Sequence, residues 1–132
     1  MEPQGIQMEN VSVVFDTPAG KMTAVTGVDQ HVPHTSFVSI VGPSGCGKST
    51  LLAVVSGLQK ASTGRVSVGG KAVTGPDPKI GVVFQEDSTL PWRTVEENVC
   101  FAMEMTGVPK ASRRQRAKEA IELVGLRGFE KS

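Results

Sequence analysis

The chain has 132 residues, 39% of them apolar and 20% charged, which places it among globular chains of about one domain. Its 14 Lys and Arg stand against 13 Asp and Glu, a net charge of +1 that offers no chain-wide field for capturing nucleic acid or an anionic membrane. Two cysteines, Cys46 and Cys100, are too few for a secreted disulfide framework, the first residues lack a signal peptide's pattern, and no apolar run approaches the roughly 20 residues that cross a bilayer, so a reducing, cytoplasmic setting is expected.

The elements are expected as follows. From Ile6 to Phe15, Val11, Val13 and Phe15 alternate with more polar neighbours in a β-branched run, which predicts a strand. Turn residues at Asp16 to Gly20 then allow a second extended stretch, Thr23 to Val32, to pair back antiparallel. Phe37 to Val41 is a short apolar run predicted as a buried strand, followed by a glycine-rich loop and a helix that Gly57 stops. Arg65–Val68 and Lys71–Val73 flank Gly69-Gly70 and predict a hairpin. Ile80 to Phe84 reads as another buried strand, and the polar stretch after it contains Pro91 and Trp92. From Val95 the periodicity turns helical, with a break at Gly107-Val108-Pro109 and a second helix from about Ser112 to Val124.

The loop is the most specific feature. Gly42-Pro43-Ser44-Gly45-Cys46-Gly47-Lys48-Ser49-Thr50 fits G-x-x-x-x-G-K-[ST], and it lies between an apolar run and a helical pattern, as phosphate binding requires. Its glycines let consecutive N–H groups turn inward on an anion, and the following helix N-terminus adds partial positive charge. Lys48 supplies a mobile cation for the outer phosphates of ATP, and the Ser49 hydroxyl is a ligand for Mg²⁺. A dinucleotide-binding reading fails because Thr50 stands where Gly45-Cys46-Gly47 would need a third glycine.

With strands ahead of the loop, and with Phe15, Gly64-Arg65-Val66, Val83-Phe84-Gln85 and Leu90-Pro91-Trp92-Arg93-Thr94-Val95-Glu96-Glu97-Asn98-Val99, the chain resembles the N-terminal part of an ABC-transporter ATP-binding subunit. The likeness is greatest to the nitrate, sulfonate and taurine importer branch. It implies an α/β fold: a P-loop strand-loop-helix core with an antiparallel β subdomain and the start of a helical subdomain, divided as 1–94 and 95–132 of one incomplete domain. It implies that residues 42–50 hold ATP, that Phe15 stacks on adenine, and that Gln85 joins Ser49 on Mg²⁺ and Lys48 in catalysis. The strand-closing position of Phe15 suits a core residue equally well, and a solvated loop position is the lesser alternative for Gln85. The resemblance further implies a transmembrane permease subunit as partner, met through residues 86–94, a second ATP-binding subunit, and a place on the cytoplasmic face of the inner membrane. Trp92 would either dock on the permease or pack beneath its own loop. Thr35-Ser36 departs from the Gly-Glu pair usual in the family.

No apolar run ends in Asp-Glu, and no Leu-Ser-Gly-Gly-Gln signature or later switch histidine is present, so the chain is expected to cradle ATP without turning it over. A stand-alone P-loop small-molecule kinase and a non-catalytic nucleotide-binding regulator are the alternatives. Lys110, Arg113, Arg114, Arg116 and Lys118 are expected on the solvent face of a helix whose apolar side carries Ala117, Ala120, Ile121 and Val124, which excludes nucleic acid binding. Both cysteines are expected as plain thiols, and His31 and His34 as exposed.

Overall fold

A computed structural model describes residues 5–85 and 88–132. They form two compact units, Met1–Val82 and Val83–Ser132. The β-rich first unit and the helical second unit give the expected mixture of antiparallel sheet and helices.

In the first unit, β1 (Ile6–Thr17) and β2 (Gly20–Val32) form the long hairpin, turning at Pro18 and Ala19. β3 (Thr63–Val68) pairs with the other edge of β1, and the two-residue β4 (Lys71–Ala72) follows Gly69-Gly70. The sheet order is β2-β1-β3-β4, and every pairing is antiparallel. The alternation read from the sequence is the alternation that is buried: Val11 and Val13 of β1 lie wholly inside. They meet Met8, Val25, Val66 and Val54, the last from α1 (Lys48–Val55), so the phosphate-loop helix is anchored on one face of the sheet. Gly57 closes α1 at positive φ, its N–H reaching the Val54 carbonyl at 3.1 Å.

Two expected strands do not form. Phe37–Val41 and Ile80–Phe84 carry no regular secondary structure and pair with no strand among the described residues, and Phe37, Val41 and Val83 are 95%, 91% and 99% exposed. Apolar, β-branched side chains favour a strand only where a neighbouring ladder takes the backbone and a second layer covers the face. Among the described residues neither is present. Gln85 therefore follows an unpaired segment, not the end of a sheet strand.

The second unit holds α2 (Val95–Met105) and α3 (Lys110–Leu123). Thr94 caps α2 in a reciprocal box with Glu97, and Glu96 and Glu97 place negative charge in the first turn, where the helix dipole favours it. Gly107 at positive φ ends the helix, and Pro109 leads into α3. Of the four apolar positions expected inside α3, only Ala117 and Ile121 are buried; Ala120 and Val124 are exposed. No helix among the described residues is long and apolar enough to cross a membrane.

Candidate nucleotide site

Residues 42–47 form a loop that residues 48–50, the first turn of α1, close on itself. Lys48 Nζ donates to the carbonyls of Gly42 at 2.9 Å and Pro43 at 2.7 Å, and lies 3.7 Å from Cys46 Sγ. An ammonium has three N–H donors, so two hold the loop ring and the third, on the weakly accepting Cys46 sulfur, is the one a phosphate oxygen would take over. The Cys46 N–H reaches back to the Pro43 carbonyl at 3.4 Å, and Leu51 N–H donates to Gly47 O at 2.9 Å. By contrast, the N–H groups of Gly45, Gly47, Lys48, Ser49 and Thr50 donate to no carbonyl among the described residues. They are the donors that a polyphosphate would satisfy.

The approach of the loop to the sheet explains Gly47. Its φ is 96°, and a Cβ there would lie 2.4 Å from the Ala24 carbonyl oxygen and 3.1 Å from Val25 Cγ2. Only glycine lets the chain turn this close to β2 and enter α1 at the same residue. α1 itself starts without a side-chain cap and without an acidic residue in its first turn, so nothing on the chain competes for its positive end. This donor set fits phosphate.

The Ser49 hydroxyl is exposed and bonds to nothing among the described residues. No group of three or more His, Cys, Asp and Glu there could hold a metal ion. A lone hydroxyl beside a phosphate nest suits Mg²⁺, which keeps most of its waters and takes its other ligands from phosphates.

Phe15 is partly buried against the core formed by Met8, Val11, Val13, Val25, Val54 and Val66. It pairs in register with Met22 of β2, two residues from the Ala24 carbonyl on which Gly47 rests. One strand thus brings Phe15 and the phosphate loop to the same end of the first unit. Gln85 belongs to the second unit. Glu86 and Asp87, which open the expected docking loop, lie outside the described residues; Trp92, within it, is exposed rather than packed beneath the loop.

The sequence reading missed an ion network between α2 and α3. Glu104 accepts from Arg93 at 3.0 Å and pairs with Arg113 at 3.3 Å, Arg114 pairs with Glu96 at 3.5 Å, and Arg93 sits 4.9 Å over the Phe101 ring. Arg113 and Arg114 therefore link two helices, where a purely solvated face was expected. Arg93 and its partner Glu104 stand about three helical turns apart, beyond the i to i+4 spacing at which a helix pattern displays a pair. The cleft they line holds about 320 Å³, and the half-buried Cys100 thiol in it is pushed up, first by burial and then by Glu96.

The hydrogen bond from Arg93, followed by the charges of Arg93 and Arg113, holds the Glu104 carboxyl below its ordinary value. A carboxylate whose folded pKa is depressed stabilises the fold above its unfolded pKa, and that contribution disappears as pH falls through the folded value. The helical unit should therefore lose thermal stability on acidification below the ordinary glutamate range, and Glu104→Gln should flatten the dependence. Thermal unfolding followed by circular dichroism checks this; equal slopes for wild type and variant would contradict it.

A family profile described as ABC transporter matches residues 25–132. The chain is 42% identical over 125 residues to an uncharacterized ABC transporter ATP-binding protein of Methanocaldococcus jannaschii, covering 95% of this chain and 47% of that protein. It is 47% identical over 120 residues to the taurine import ATP-binding protein of Burkholderia thailandensis, covering 91% and 46%. A solved ATP-binding cassette, dimeric, in a post-hydrolysis state and bound to ADP and Pi, superposes with a TM-score of 0.83 at 28% identity, covering 96% of this chain and 60% of that one. The chain thus spans about half the length of the curated relatives it matches.

Proposed function

Because the chain belongs to the ABC transporter family of ATP-binding proteins, we propose that it binds MgATP as part of the ATP-binding subunit of an importer, powering uptake through a membrane permease. The observation that carries this reading is the set of unspent N–H donors around the closed ring of Lys48, Gly42 and Pro43. In it, the amides of Gly45 and of residues 47–50 receive the phosphates, the Lys48 ammonium exchanges its weak Cys46 Sγ contact for the outer phosphate charge, and Ser49 offers its hydroxyl to the Mg²⁺. Magnesium, when bound, neutralises phosphate charge and fixes the phosphate chain in one geometry. Phe15 provides a ring face near the loop for the base, and Gln85 provides a non-titrating amide as the sensor of metal and water.

Water activation needs a positioned base, and the loop supplies only positioning and charge. The 132-residue chain accordingly binds ATP without steady turnover. The likeness to a taurine import protein favours small sulfonates or similar solutes as cargo. A permease, a second ATP-binding subunit and the cytoplasmic face of the inner membrane complete the proposed setting.

Labelled MgATP should be retained by the chain and recovered unchanged as ATP. A phosphorylated small molecule among the products would favour the kinase alternative, and steady release of phosphate that depends on Lys48 would overturn the binding-only reading. Retention of ATP with no association to any permease would favour a regulator.

A further inference from the structure

The two helices of the second unit are joined more by charge than by apolar packing. No side chain of α2 is fully buried, and α3 buries only Ala117 and Ile121. Clefts stand where packed side chains would: one of about 320 Å³ contains Cys100, and another of about 650 Å³ separates α3 from residues 128–131. Ion pairs bridge the gap. The Glu104 carboxylate gives one oxygen to Arg93, from the loop before α2, at 3.0 Å and the other to Arg113 of α3 at 3.3 Å, and Glu96 meets Arg114 at 3.5 Å. All five side chains keep some solvent contact, so dissolved ions screen them. Each helix also closes its own ends. Thr94 and Glu97 box the start of α2, and the Thr106 hydroxyl closes its other end on the Ala102 carbonyl at 3.1 Å. α3 finishes on Gly125 at positive φ, with the Leu126 N–H on the Ile121 carbonyl at 2.9 Å. An interface with so little apolar burial parts at lower cost than the helices unwind.

We propose that α2 and α3 form an ion latch whose pin is Glu104: salt or acid withdraws the pin, and α3 swings off α2 with both helices still wound, opening the cleft around Cys100. The charges set the direction. Arg93, Lys110, Arg113 and Arg114 line that cleft against Glu96, Glu97 and Glu104, and Glu97 is already engaged in the α2 cap. While Glu104 is ionised, each of its oxygens holds one guanidinium and keeps Arg93 and Arg113 together. Once it is protonated, the four cations face only Glu96 and Glu97, and repulsion drives Arg113 and Arg114 away from Arg93. Arg93 stays with α2, because it also sits 4.9 Å over the Phe101 ring. The Arg93 hydrogen bond, then the charges of Arg93 and Arg113, hold the Glu104 carboxyl below its ordinary value, so the latch is shut above the glutamate range and opens as pH falls through the lowered value. Burial pushes the Cys100 thiol up, which leaves it neutral and passive throughout that range. Salt opens the latch at any pH, since raising it from about 0.1 to 1 M shortens the screening length from about 10 to 3 Å.

Spin labels attached through Ala102→Cys on α2 and Ala120→Cys on α3, both exposed positions, read the helix separation by double electron–electron resonance. The full chain carries Cys46→Ser and Cys100→Ser as well, so that only these two sites are labelled. At low salt and neutral pH this parent should give one narrow distance. At about 1 M salt, or below the ordinary glutamate range, a second and longer distance should appear while the helical circular dichroism stays unchanged. Glu104→Gln in the same chain should populate the longer distance at low salt and neutral pH, raising the open-to-closed ratio roughly three- to tenfold, the scale of two partly exposed pairs. It should also remove most of the response to acid. Arg113→Gln spares the Arg93 pair and breaks the α3 side, so it should open the cleft likewise and decides the matter if Glu104→Gln fails to fold. Glu122→Gln removes the same charge from a pair with Arg127 outside the cleft and should behave as the parent does. One unchanged distance in both Glu104→Gln and Arg113→Gln would overturn the latch. Equal opening by Glu122→Gln would make net charge the cause and remove Glu104 as the pin. A longer distance that appears only with loss of helical dichroism would mean that the unit unfolds, and the swing would be refuted.

Discussion

Lys48→Ala should weaken MgATP binding by roughly ten- to a hundredfold, the scale of one charge-assisted hydrogen bond of about 1.5–3 kcal/mol. Two losses combine in it. The ammonium charge no longer meets the outer phosphates, and the ring that Lys48 closes onto Gly42 and Pro43 opens. The second loss loosens the amides of Gly45 and of residues 47–50 that do the cradling, which hydrogen exchange in the nucleotide-free chain should detect. Lys48→Arg should rescue little, because a planar fork of five donors does not replace a point charge fitted between two carbonyl oxygens at 2.9 and 2.7 Å. Titration with labelled ATP measures the loss. A thermal shift measures it independently, since a ligand that binds only the folded chain should raise Tm less for the variant than for wild type at the same ATP concentration. Binding by Lys48→Ala within about twofold of wild type would remove Lys48 from the phosphate contacts.

The phosphate loop was legible because its information is local. Glycine torsions, a lysine at a fixed offset and a helix start are written within nine residues, Gly42 to Thr50, and need no distant partner to be recognised. The β1–β2 hairpin was legible for the same reason, since Val11 and Val13 alternate and Pro18-Ala19-Gly20 turns the chain. Phe37–Val41 and Ile80–Phe84 carry strand composition as clear as that of β1. Composition records only what a segment would bury if a neighbour were there, and among the described residues no neighbour pairs with them. Asn98 failed to stand out for the opposite reason. Its contacts, the Leu90 N–H on its Oδ1 and two amide protons shared among the carbonyls of Leu90, Arg93 and Thr94, depend on where the chain returns in space, and an Asn inside a helical pattern carries no sign of them beyond its low helix propensity. The same holds for Glu104, whose partners come from the loop before α2 and from α3.

The contrast between two glycines of the loop gives the largest expected effect on stability. Gly47→Ala should cost about 3–5 kcal/mol, a large part of the 5–15 kcal/mol that holds an ordinary domain together. About 1–2 kcal/mol comes from forcing a side chain to adopt the left-handed torsion of 96°. The rest comes from the new Cβ, which would sit 2.4 Å from the carbonyl oxygen of Ala24. That oxygen cannot step aside cheaply. Its neighbour Val25 is buried and paired with Val13 at the centre of the hairpin, so relief requires moving the strand or lifting α1 from the core that Val54 anchors. Gly45 also has positive φ, 78°, but nothing lies within 4 Å of a Cβ placed there. Gly45→Ala should therefore carry the torsional cost alone, about 1–2 kcal/mol. Urea unfolding followed by circular dichroism reads the difference as a shift in midpoint at constant slope. Equal midpoints for the two variants would mean that the loop does not rest on β2 at Ala24, and the tight junction that delivers the loop amides to one end of the sheet would fall with it.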